Sequence, residues 1–265
     1  MPKGLLALLL LAAPTPALAQ AAYCSIPQQV PRPRLELPPT SEPRRLVPIA
    51  GYTLALSWSP HYCASARGGD SAFQCSGRDG KFGFILHGLW PEGSGRNWPQ
   101  YCRAADLLPR QVIRQNLCTT PSAQLLQHEW AKHGSCMTTR PELYFNLARA
   151  FYDSVRYPNM TALARREKLT VGQFAAEFAR ANKGLTPDMI RVKTAPGGWL
   201  SEVSLCMDRA MDYAHCPAGK AGAPNNARLR IQPGPNILPP KPRATREHRP
   251  ALKLDLDPNA QVPID

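Results

Sequence analysis

The chain lacks what would mark a membrane-spanning protein or a metalloenzyme. Its longest apolar run, residues 5–13, is far short of the roughly 20 residues a spanning helix needs, so no membrane partner is expected. No two of its cysteines form a C-x-x-C pair, and no H-E-x-x-H occurs, so neither common zinc signature is present. No internal repeat is visible. Acidic residues are scarce, 19 against 32 Lys and Arg, leaving a formal net charge of +13. An excess of this sign points to an anionic partner, whether nucleic acid, anionic lipid or acidic polysaccharide, without choosing among them.

The segment MPKGLLALLLLAAPTPALA joins a short charged start, an apolar run and a small-residue cleavage pattern, the signature of a signal peptide over residues 1–19 cut near Ala19. Its removal takes away Lys3 alone, so the processed chain carries +12. A secreted or periplasmic location follows as an expectation. It also accounts for the cysteines: all eight lie after the cut, and an even number in an oxidising compartment reads as a disulfide framework of up to four bridges. Eight cysteines allow 105 pairings, so the count alone fixes none.

Residues 20–50 are proline-rich and lack apolar periodicity, which predicts an extended N-terminal arm whose start Cys24 can pin. The folded body is expected over residues 51–217. GYTLALSW (51–58) alternates as a half-buried strand does, and KFGFIL (81–86) reads as a second, more apolar strand. Pro141 opens a helix along which Leu143, Leu147 and Phe151 recur at helical spacing, and Thr170 with Gln173 makes a capping box ahead of the core residues Phe174 and Phe178. MIRVKT (189–194) and WLSEVSLCM (199–207) are two further strands. Strands and helices without βαβ regularity predict an α+β fold: one domain, a central mostly antiparallel sheet against several helices, stabilised by disulfides. Residues 218–265 read as a basic, proline-rich, largely extended tail, in which 227–231 can add an edge strand.

Chemistry concentrates in HEWAKHGSC, His128 to Cys136. Its histidines are five apart, about 140° around a helix at roughly 100° per residue, a separation at which both rings are not expected to reach one ion. The pairs sharing a face are Glu129 with His133 and His128 with Lys132. Carboxylate beside imidazole and imidazole beside ammonium suit proton transfer next to an anion, with no metal and no cofactor. A second histidine, in FILHGLWP (84–91), ends an apolar strand and is followed by glycine, which aims it at the strand's mouth. Two imidazoles about 40 residues apart in a basic exported chain read as an acid–base pair.

These two cassettes, His87-Gly88-Leu89-Trp90-Pro91 and His128-Glu129-Trp130 with Lys132-His133-Gly134 and Cys136, resemble the signatures of the ribonuclease T(2) family of secreted endoribonucleases. LALSWSPHYC and WLSEVSLC…CP support the match, which covers about residues 51–217. The resemblance implies His87 and His133 as the acid–base pair, with His133 the favoured base and His87 the acid, roles that can be exchanged. It implies Glu129 and Lys132 as supports for the phosphorane, His128 as a phosphate ligand, and Trp90, Glu92 and Trp98 as the base site, the two rings a sandwich and the carboxylate reading a base edge. Trp130 is expected in the core. The function implied is a metal-independent endoribonuclease of low base specificity, monomeric, acting on single-stranded RNA to give 2′,3′-cyclic phosphates and then 3′-phosphates. A silent exported RNA- or polyanion-binding protein of the same fold is the alternative.

For the bridges, the family pattern joins local spacing. Cys206 and Cys216 flank a ten-residue excursion, and Cys63 and Cys75 bracket a Gly- and Ser-rich loop. Cys136 is expected to tie to the segment after Trp98, with Cys102 favoured and Cys118 able to replace it. Cys24–Cys118 then completes the set.

Overall fold

The computed structural model describes residues 21–66, 68–217 and 222–234. The expected signal peptide and most of the expected tail lie outside the described residues. The element order is β1 (Ala21–Cys24), β2 (Gly51–Trp58), α1 (Ser59–Ser65), α2 (Ala72–Cys75), β3 (Gly80–Phe82), β4 (Phe84–Glu92), α3 (Arg110–Asn116), α4 (Ala123–Lys132), α5 (Pro141–Ser154), α6 (Met160–Ala164), α7 (Val171–Arg180), β5 (Ile190–Ala195) and β6 (Trp199–Met207). This is an α+β fold. A four-stranded sheet in the order β4-β2-β6-β5, antiparallel at every junction, carries the site, and β1 pairs with β3 in a small second sheet.

Several expectations need correction. The stretch 81–86 is two strands rather than one: Gly83 separates β3, which goes to the small sheet, from β4, which runs on through the histidine cassette to Glu92. His87 therefore sits inside a strand and not at its end. β2 is buried almost throughout rather than on alternate residues: flanked by β4 and β6, it has both of its faces covered as well. In α5 the inward face is Tyr144, Phe145, Leu147, Ala148 and Tyr152, a stripe turned about one residue from the predicted one, with Leu143 and Phe151 half-buried. Two tyrosines decide that rotation. Tyr144 donates its hydroxyl to the Leu89 carbonyl at 3.1 Å, and Tyr152 donates to the Phe84 carbonyl at 2.8 Å, docking α5 along β4.

An aromatic cluster fills the space between sheet and helices. Phe84 lies 4.8 Å from Trp58, 5.2 Å from Tyr157 and 6.1 Å from Phe178, centroid to centroid, at separations where ring pairs are attractive. Phe174 and Phe178 are fully buried, held by α7, whose capping box forms between Thr170 and Gln173 in both directions. Arg230 of the C-terminal stretch 222–234 bridges in parallel to Trp199, and Leu229 and Ile231 are buried, so this part of the tail closes the core edge.

All eight cysteines are paired: Cys24–Cys118, Cys63–Cys75, Cys102–Cys136 and Cys206–Cys216. Each pairing is the one the sequence favoured, including the choice of Cys102 over Cys118 for Cys136. Cys24–Cys118 spans 94 residues and fastens the start of the arm to the body. From there the arm runs extended across the molecule, and Arg45 forms a two-way backbone bridge with Gln100.

Candidate active site

The site is built where the middle of β4 faces the C-terminal half of α4. Opposite β2, residues Ala55 and Leu56 pair with Gly88 and Leu86, so His87 is the extra residue of a β-bulge. A bulge bends the strand and re-aims one side chain, and here that side chain is His87. The glycine after it is obligatory: a Cβ at Gly88 would stand 1.8 Å from Oε2 of Glu129, so any other residue there would displace the carboxyl group.

α4 begins at Ser122, whose hydroxyl accepts from the Leu125 N–H at 3.2 Å, a standard cap. Its last turn presents His128, Glu129 and Lys132, and His133 is the capping residue, with φ −113°. Gly134 then lets the chain leave the helix, since a Cβ there would meet the Trp130 ring at 2.5 Å and Tyr144 at 2.9 Å. The Tyr101 N–H donates to the Lys132 carbonyl at 2.9 Å, and Cys102–Cys136 (Cα–Cα 4.9 Å) clamps the same helix end. Trp130 is buried, as expected.

Around Glu129, which is 1% exposed, the groups converge. Trp90 donates its indole N–H to Oε2 at 2.7 Å, and Nε2 of His87 lies 3.5 Å from Oε1. The Trp90 ring stacks on His133 at 5.4 Å and meets His87 edge-on at 5.0 Å. Nδ1 of His133 is buried with no partner among the described residues, leaving Nε2 as the nitrogen available to the cleft. That cleft, about 490 Å³, is lined by His87, Trp90, Glu92, Trp98, His128, Glu129, Lys132 and His133, with Thr53, Pro91, Arg191, Lys193 and Ser204 completing the wall. All eight residues singled out from the sequence thus line one cavity.

The electrostatics separate the two imidazoles. Burial opposes a charge on His87, but the Glu202 hydrogen bond and the Glu129 and Glu202 carboxylates outweigh it, and its pKa is raised. Burial, reinforced by the neighbouring charges of Lys132, His128 and His87, holds His133 well below the ordinary imidazole range. Burial raises Glu129. One ring is thus biased to carry its proton and the other to be neutral.

Two sequence expectations are modified here. The five-residue spacing does not keep the histidines of α4 apart: their ring centroids are 6.4 Å apart, and donor atoms of His128, Glu129 and His133 lie within 4.8 Å of one another. The ideal helical angle fails because His133 sits at the helix end with non-ideal backbone. Trp90 is also not simply one wall of a sandwich with Trp98. Its ring is engaged by His133, His87 and Lys193, the last with Nζ 5.1 Å from the centroid. Trp98 carries the Arg45 guanidinium 4.9 Å over its ring and donates to Gln100 at 3.0 Å. Glu92 accepts from the Thr53 hydroxyl at 2.7 Å.

Besides Arg191 on the cleft wall, four charged groups that pair at the site were not singled out from the sequence. Glu202 on β6 accepts from Nδ1 of His87 at 2.7 Å and from Lys193 of β5 at 2.6 Å. From the arm, Glu42 accepts from Lys132 through both oxygens at 2.8 Å, and Glu36 pairs with His128 and accepts from the Tyr101 hydroxyl at 3.1 Å. Only Glu202 left a trace in the sequence: it is the single charged residue in an otherwise apolar or small-polar strand.

A sequence model of the Ribonuclease T2 family matches residues 50–216. A probable ribonuclease of Haemophilus influenzae is 31% identical over 182 residues, 64% of this chain and 61% of that protein. A ribonuclease of Aeromonas hydrophila is 42% identical over 86 residues, 32% of this chain and 36% of that protein. The chain thus spans about three-fifths of the first relative's length and about a third of the second's. Among solved structures, that of RNase NT in complex with 5′-AMP superposes with a TM-score of 0.56 at 22% identity, covering 70% of this chain and 98% of that one, a likeness of fold. With both histidine cassettes on one cleft and the match running through the whole sheet, the chain belongs to the ribonuclease T2 family.

Proposed function

We propose that this protein is an exported, metal-independent endoribonuclease that cleaves single-stranded RNA by transesterification. The observation that carries the reading is the convergence of His87 and His133 on one cleft beside the buried Glu129, with Nε2 of His87 3.5 Å from the carboxyl group; the opposite directions in which their surroundings push the two imidazoles agree with it. His133, neutral, takes the proton of a ribose 2′-hydroxyl, and the 2′-oxygen attacks the adjacent phosphorus. The bond from phosphorus to the 5′-oxygen breaks as His87 delivers the proton of Nε2 to that oxygen. The products are a 2′,3′-cyclic phosphate and a free 5′-hydroxyl. In the slower second stage the roles reverse, and water opens the ring to a 3′-phosphate.

Lys132 and His128 line the cleft from α4, placed to meet charge that builds on the non-bridging oxygens, and Glu129, Nε2 of His87 beside it, shares or orients protons. Trp98, Trp90 and Glu92 face the same cavity and offer aromatic surface and one acceptor to bases. Stacking on such surface tolerates any sequence, which favours low base specificity. A monomer in an oxidising, extracytoplasmic compartment fits four disulfides.

Digestion of single-stranded RNA with and without EDTA tests the proposal. Equal shortening under both conditions is expected. Activity abolished by EDTA and restored by zinc would instead assign His128, Glu129 and His133 to a metal, and retention of RNA without shortening would leave a binding protein.

A further inference from the structure

The cassettes account for one side of His87, the one that faces Glu129 and the cleft. Its other nitrogen, Nδ1, points away, to Oε2 of Glu202 at 2.7 Å, with the Ser57 hydroxyl at 3.2 Å. Glu202 comes from a different strand, 115 residues on, and its side chain is 8% exposed. It is fixed from its other oxygen by Lys193 at 2.6 Å. A buried carboxylate with one oxygen on a cation and the other on an imidazole has little freedom to rotate. We propose that Glu202 is a positioning residue for the reaction described above: it holds His87 in the Nδ1–H tautomer, so that Nε2 alone exchanges protons with substrate. The proposal rests on the endoribonuclease reading for its chemistry.

The donor and acceptor roles follow from charge. Burial alone would raise Glu202, but the hydrogen bond and charge of His87, with Lys193, pull it down to about 2. It is therefore ionised, can only accept, and Nδ1 of His87 must be the donor. In the first stage His87 loses the Nε2 proton to the leaving oxygen and keeps the Nδ1 proton on Glu202. In the second stage the lone pair this exposes on Nε2 takes a proton from water. If the neutral ring were free to carry its proton on Nε2 instead, that second step would have no base. One tautomer thus serves both stages. The charged and titratable groups around His87 are Glu202 from β6, Glu129, His128 and His133 from the α4 end, and Lys193 from β5. Of these only the two glutamates favour its charged form, and Lys193 opposes it.

The test compares Glu202→Gln with Glu202→Asp, measuring kcat, KM and the pH profile on single-stranded RNA. Glu202→Gln should lower kcat by at least about tenfold, with about 10⁴-fold, the loss when an amide replaces the orienting carboxylate of a catalytic triad, as the ceiling. KM should change little. The alkaline limb should move down by about one pH unit, since an opposite charge near a titrating group shifts it by about that much or more. Glu202→Asp should restore the limb in part. An unmoved limb with unchanged kcat, or equal losses in Gln and Asp with no limb shift, would reduce Glu202 to a structural residue. Should Glu202→Gln not fold, ¹⁵N imidazole NMR of the unaltered protein decides: His87 should hold its proton on Nδ1 when neutral and titrate above 6.5. A His87 ring protonated on Nε2 would overturn the proposal. If the unaltered protein does not cut RNA, the enzymatic reading fails, while the NMR result still reports on the Glu202–His87 pair.

Discussion

At the scale of single residues, the proposed chemistry rests on two chemically identical side chains in opposite surroundings. His133 lies behind Trp90 with its inner nitrogen buried and cations close by, and His87 lies between two carboxylates. The direction of each shift fixes the sign of the pH dependence. His133 must be neutral, so the acid limb of kcat/KM falls below its ordinary 6.5. His87 must be charged, so the alkaline limb falls above 6.5. A bell with its optimum on the acid side of neutral is expected, and a rate still climbing at pH 9 would contradict the pair. Replacing either histidine by Ala should cost several orders of magnitude in kcat, because acid and base act as a unit; a variant keeping a tenth of the activity would remove that residue from the chemistry. That His87, Glu129 and His133 share one cleft was legible in the sequence because each cassette sets its histidine beside a glycine, Gly88 or Gly134, at a position where a Cβ would collide with its neighbours. Glu202 was not, because its partner is 115 residues away and only strand pairing through β2 brings them together.

At the scale of elements, the sequence showed most strands and the long helices but missed how two of them end. KFGFIL read as one strand because Gly83 looked like an ordinary member of an apolar run, whereas it is where the chain passes from one sheet to the other. The α4 helix read as ideal to His133, whereas the departure at His133 brings its ring toward His128. The arm shows the largest gap between reading and structure. Its prolines announced an extended path and gave no sign that Glu36 and Glu42 would lie on His128 and Lys132, the two groups assigned to phosphate. Substrate phosphate must compete with those carboxylates. Valued as a surface pair, the Lys132–Glu42 contact is worth about 0.2–1 kcal/mol, so Glu42→Gln should lower KM for RNA up to about fivefold at low salt, an advantage that shrinks as salt screens the pair. Glu36→Gln should act in the same direction. Steady-state kinetics across a salt series checks this, and an unchanged KM would mean that phosphate binds elsewhere in the cleft.

At the scale of the whole molecule, a strongly basic chain, four bridges and the four-stranded antiparallel sheet come together around one cleft. The sheet carries His87 and Glu202, one helix end carries Glu129, Lys132 and His133, the groups proposed to act with them, and Cys102–Cys136 holds that helix end to the loop leading from Trp98. The α+β class was readable from the alternation of strands and helices, and Cys63–Cys75 and Cys206–Cys216 from the short loops they close, whereas Cys102–Cys136 stood as a preference over Cys118 and Cys24–Cys118 as the pair left over; the arm's course and the closing of the core by Leu229 and Ile231 were not readable, since both depend on contacts far apart in the chain. The account's central claim is that the substrate's own 2′-hydroxyl is the nucleophile and that two imidazoles manage its protons. The most direct measurement is a ³¹P NMR time course of RNA digestion in EDTA. A 2′,3′-cyclic phosphate signal should rise first and decay slowly into a 3′-phosphate, while single-stranded DNA under the same conditions stays intact. Direct appearance of a 5′-phosphate, or cleavage of the DNA, would contradict it.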